Sequence, residues 1–97
     1  MTYIEELEGV IVKLHGCEAS PVETVEVEEV HQGKTVWQGE VEVFELTGHA
    51  RAKRCYAWGL PDESGTLQIV TLLELPPVNS ALMAVRVALA SGARGTG

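Results

Sequence analysis

Residues 35–58 read T-V-W-Q-G-E-V-E-V-F-E-L-T-G-H-A-R-A-K-R-C-Y-A-W, and this stretch decides the fold. It holds both tryptophans, the only phenylalanine, one of the two tyrosines and three of the seven basic residues. Alternating residues on either side of Thr47-Gly48-His49-Ala50 predict two strands joined by a short loop there. In the first strand, from Lys34 to about Leu46, Val41 and Val43 share a face with Trp37, and Glu40 and Glu42 share the other with Phe44. Apolar weight on both faces marks a central strand or an oligomer contact. In the second, from Arg51 to about Leu60, Arg54, Tyr56 and Trp58 share one face. Lys53, Cys55 and Ala57 share the other, and small residues of that kind suit the underside of a helix. The register stays open. A two-residue loop sets Trp58 across from Gly39, a three-residue loop sets Arg54 across from Glu42, and a one-residue slip exchanges the faces.

The flanking segments read as two further strands and two helices. Tyr3, Ile4, Leu7, Val10, Ile11 and Leu14 form one helical stripe over residues 2–16, with Thr2 and Glu5 as a capping box and Gly16 at the left-handed end. Gly9 weakens that helix, so a strand over residues 10–14 competes with it. Ser20-Pro21 breaks the pattern, and Thr24–Glu28 then alternates valine with glutamate, the mark of a sheet with one wet face. Glu28-Glu29 before Val30 predicts a bulge, and Gln32-Gly33 a turn. Pro61–Gly65 is a second turn. Thr66–Leu75 is the most apolar strand and is expected to be the best buried, ending at Pro76-Pro77. Asn79 or Ser80 then caps a helix from Ala81 to about Ser91 whose only charge is Arg86, so it must be buried against the sheet or another subunit.

The fold class is therefore α+β, a four-stranded antiparallel sheet flanked by an N-terminal and a C-terminal helix in the order α-β-β-β-β-α, with both helices on one sheet face. If the other face is wet, Glu26, Glu28, Glu40 and Glu42 line it. Residues 1–92 form a single domain and 93–97 a flexible tail.

Composition narrows the function classes. The 97 residues are 45% hydrophobic and 22% charged, ordinary for a globular chain, with a net charge of −7. Seven basic residues against fourteen acidic ones argue against nucleic acid and anionic membrane surfaces, and favour a basic protein or cationic small molecule as partner. No apolar run approaches the ~18 residues that span a bilayer. The opening M-T-Y-I-E-E-L-E lacks the basic and apolar regions of a signal peptide, and Cys17 and Cys55 are too few for a secreted disulfide scaffold. A cytoplasmic protein with reduced thiols is expected.

The segments V-W-Q-G-E-V-E-V-F-E-L-T-G-H-A-R-A-K-R-C-Y-A-W and L-L-E-L-P-P-V-N-S-A-L-M-A-V-R-V-A-L resemble a group of short bacterial proteins of the integron-gene-cassette type. The resemblance covers roughly residues 36–90. The group has no assigned activity, so the resemblance implies a bacterial, cytoplasmic accessory protein and carries over no functional residue.

Candidate chemistry gathers in the hairpin. Gly48-His49 followed by Arg51, Lys53 and Arg54 could hold an anion, or His49 could act as a general base. Against this, the cations could simply pair across strands with Glu40, Glu42 or Glu45, each pair worth a few tenths of a kcal/mol. Trp37, Tyr56 and Trp58 could wall a ligand pocket, although three aromatics in one hairpin more often form core or dimer interface. His15-x-Cys17, with His31 or His49, lacks the repeated spacing of a zinc site. No nucleophile elbow, zinc-protease, phosphate-loop or dinucleotide motif occurs. The expectation is a non-enzymatic homo-oligomeric interaction or ligand-binding module, a homodimer without metal or cofactor, with His49, Arg51, Arg54, Tyr56, Trp58 and Trp37 as candidate ligand-binding residues. Two alternatives stand beside it. One is a small enzyme with a pocket around His49, Arg54, Tyr56 and Trp58. The other is an acidic adaptor or antitoxin-like protein that binds a basic partner.

Overall fold

The computed structural model describes residues 2–61 and 63–90. Its order is α1 (Tyr3–His15), β1 (Glu18–His31), β2 (Lys34–Thr47), β3 (Arg54–Pro61), β4 (Leu67–Leu73) and α2 (Ala81–Ala90). The strands form one antiparallel sheet in the order β1-β2-β3-β4. The expected α+β class and element order hold. Asp62 of the second turn, Ser91 and the tail expected at 93–97 lie outside the described residues.

Residues 10–14 are helical, because the competing strand would forgo both ends of α1. Thr2 Oγ1 accepts the Glu5 amide while Glu5 Oε1 accepts the Thr2 amide, and Gly16 closes the helix in the left-handed region at φ 63°. Leu7 and Ile11 are its fully buried residues.

The two helices pack on opposite faces of the sheet, which corrects the expectation that they share one. Beneath α1 lie Phe44, Leu46, Cys55 and Ala57; beneath α2 lie Val41, Val43, Tyr56 and Trp58. These residues alternate along β2 and β3, so the two-sided apolar pattern of the hairpin is explained by one helix on each side. Cys55 and Ala57 are the small residues that let α1 approach, and the Ala81, Ala84, Ala88 row of α2 does the same on the other face.

β4 is an edge strand whose seven residues are all only half-buried, so it is not the best-buried strand. Apolar content alone cannot distinguish an edge from a centre; the meander topology gives the centre to β2 and β3. At the other edge, β1 runs straight through Ser20-Pro21. Pro21 can lie in a strand because the edge asks no outward amide of it, and the register slips by one residue at Val22. A second slip falls between Glu29 and Val30, where the sequence predicts a bulge in β1, but the extra residue is Val36 of β2, so the partner strand carries the bulge. Gln32 and Gly33, at φ 52° and 77°, make the two-residue turn between β1 and β2.

Neither anticipated β2–β3 register occurs. Glu45 pairs with Arg54, Phe44 with Cys55 and Val43 with Tyr56, so β3 begins at Arg54 and the loop spans residues 48–53. Trp58 does not reach Gly39. The indole over Gly39 is that of Trp37, two residues back on the same strand, where a Cβ would lie 3.1 Å from the ring.

Candidate functional site

Below the amino end of α2, β1 and β3 border an open groove of about 520 Å³. Its polar lining is formed by Glu23, Glu26, Glu28, Arg54, Tyr56, Glu74, Asn79 and Ser80, and Val25, Val27 and Val43 floor it. Alternation puts Arg54 and Tyr56 on the α2 side of β3, and register sets Arg54 across from Glu45 on β2. On the far side the Glu74 amide donates to the Arg54 carbonyl at 2.9 Å, which brings the Glu74 carboxylate beside both residues. Ser80 caps α2, its hydroxyl accepting the Met83 amide at 3.2 Å, so the positive end of the helix points at the groove.

Tyr56 is the most constrained polar group there. Its hydroxyl donates to Glu74 Oε2. Burial first, then that hydrogen bond and the Glu74 charge, push its pKa up to about 12, against a smaller opposing pull from Arg54. The phenol therefore stays protonated near neutral pH and acts as a fixed donor, not a base.

The other sequence candidates do not meet at this groove. Trp58 is a core residue, 2% exposed, with the half-buried Trp37 edge-on to it at 5.8 Å between ring centroids. His49 and the exposed Arg51 belong to the β2–β3 loop. His49 Nδ1 accepts the amides of Arg51 and Ala52 at 3.1 and 2.9 Å, so the imidazole folds its own loop. Its ring approaches His15, at 6.4 Å between centroids, and His15 Nε2 contacts Thr71 Oγ1 on the α1 side of the sheet. The six candidates are thus split between the α2 face of the sheet, which holds Arg54, Tyr56, Trp58 and Trp37, and the loop of His49 and Arg51.

Cys17 and Cys55 are buried and free, and burial raises the Cys55 thiol to about 12. Among the described residues no three His, Cys, Asp or Glu side chains gather closely enough to hold a metal. Beyond the reach of α1, Glu26, Glu28, Gln38 and Glu40 line an acidic hollow of about 340 Å³. Glu42, 5% exposed, is satisfied instead by the Thr24 hydroxyl at 2.6 Å. Sequence reading missed Glu23, Glu74 and Ser80 as groove residues. Glu74 does fall on the Leu72 face by period two, but only the β3–β4 register sets it beside Tyr56.

No protein-family model, no curated protein and no solved structure matches the chain. No helix among the described residues is long and apolar enough to cross a membrane.

Proposed function

We propose that the chain is a non-enzymatic, homo-oligomeric binding module whose small-molecule site is the groove of Arg54, Tyr56 and Glu74. The observation that carries the reading is the convergence of a guanidinium, a protonated phenol, four carboxylates and a helix amino end over an apolar floor. Such a lining suits a ligand with an apolar body and both charge signs at its rim. In a thermal-shift screen against amino acids, organic acids and amines, a ligand of the native state raises the melting temperature. The shift is expected to vanish in Arg54→Ala and Tyr56→Phe. A panel without any such shift overturns the small-molecule reading.

The acidic hollow of Glu26, Glu28 and Glu40 favours a second reading, an adaptor for a basic protein. Capture of such a partner would weaken steeply with salt, and salt-independent capture sinks it. The setting proposed with either reading is the one the resemblance implies, a bacterial, cytoplasmic accessory protein of the integron-cassette type. Fractionation of expressing cells that recovers the chain outside the cytoplasm would refute it.

A further inference from the structure

The two edges of the sheet are built differently. β1 carries a proline, a bulge and five glutamates, the devices that stop an edge from pairing with another chain. β4 carries none of them. Its sequence L-Q-I-V-T-L-L has no charge and no proline, and its register with β3 is unbroken from Leu67 to Leu73. Among the described residues no further strand pairs with its outer side.

Beside this edge the α1 surface is also unusual. Glu5, Glu6, Gly9, Val12 and Lys13 recur at helical spacing and, with Ile69 of β4, line a shallow groove of about 590 Å³. Val12 is 42% exposed. Gly9 sits in mid-helix, where glycine is unfavourable, yet a Cβ built on it would meet nothing within 4 Å. Among the described residues no close contact requires that glycine.

We infer that a second copy of this chain docks here, pairing β4 antiparallel with its counterpart so that two α1 helices cross at Gly9. The inference rests on the homo-oligomeric part of the function proposed above. Charge selects this occupant. Glu5 and Lys13 each lie four positions from Gly9, so in an antiparallel helix pair about that residue Glu5 faces Lys13 of the partner subunit, twice over. The missing side chain at Gly9 is what lets the two backbones approach. Pairing about Val70 sets Ile69 opposite Thr71 of the partner subunit and continues the sheet from one chain into the other. The contact is isologous, and the blunted β1 edges close the assembly at two copies. α2 plays no part, because its apolar face is already spent on its own sheet.

Sedimentation equilibrium at high micromolar concentration is expected to give twice the 10.5 kDa chain mass. Gly9→Arg improves helix propensity and meets open space in the monomer, so it folds, yet it is expected to weaken dimerisation at least about tenfold by blocking the crossing. Lys13→Glu sets like charges against Glu5 of the partner subunit and should weaken it in the same direction. Gly9→Ala is the control that keeps the fold. A monomeric wild type, assembly beyond two copies, or a dimer indifferent to both Gly9→Arg and Lys13→Glu overturns the inference. The ligand groove faces the opposite side of the sheet, so a thermal-shift response retained in monomeric Gly9→Arg separates failure of the dimer from failure of the ligand reading.

Discussion

Tyr56 and Glu74 show how much a single pairing settles at the scale of the residue. A phenol on β3 and a carboxylate just past β4 are unremarkable apart, and together they make a half-buried, charge-assisted hydrogen bond. Tyr56→Phe is expected to cost about 1–2 kcal/mol, since the Glu74 carboxylate loses its donor, and chemical denaturation measures it. The folded pKa of about 12 lies above the ordinary 10, so the stabilisation is fully present below pH ~10 and is lost as pH rises through about 12. Absorbance titration of the two tyrosines should therefore show less tyrosinate at pH ~10 than two free phenols would, because Tyr3 is raised too, by burial. Glu74→Gln should lower the Tyr56 midpoint, and an unchanged midpoint would dismiss the carboxylate as its cause.

Elements differ in how locally they are specified. Caps, stripe and terminator of α1 all lie within its own sequence, and its boundaries were legible to within a residue. Its carboxyl end also carries a pH-sensitive contact. Burial first, and the His49 ring second, hold His15 below its ordinary 6.5. A depressed histidine favours the neutral form in the fold, so its contribution is complete above pH ~6.5 and is lost as pH falls through the lower folded value. His15→Gln should accordingly show a shallower fall in melting temperature between pH 7 and 5 than the wild type. Equal slopes would remove His15 from the acid response. The strands are another matter. β3 begins three residues later than alternation suggests because His49 folds residues 48–53 into a loop through its own ring nitrogen. An imidazole acting as a turn acceptor has no spacing motif to announce it.

On the scale of the whole molecule, one hairpin serves two cores. Phe44 is fully buried under α1 and Trp58 nearly so under α2. Phe44→Ala and Trp58→Ala should each cost about 3–5 kcal/mol, a large share of the net stability of a domain this size. A loss below ~0.5 kcal/mol at either position would mean that its face is not covered. The ion pair between Arg86 and Glu29 ties α2 to the β1 edge and, being half exposed, adds little. Sequence alone determined the class, the order of elements, the ends of α1 and the two-faced character of β2, because hydrophobic period and capping chemistry are written within a few residues of where they act. Tertiary structure alone decided which face each helix covers, which strand is an edge, and which polar residues share a groove. A side chain's face depends on register, register depends on loop geometry, and one residue of slip sends every neighbour to the other side of the sheet.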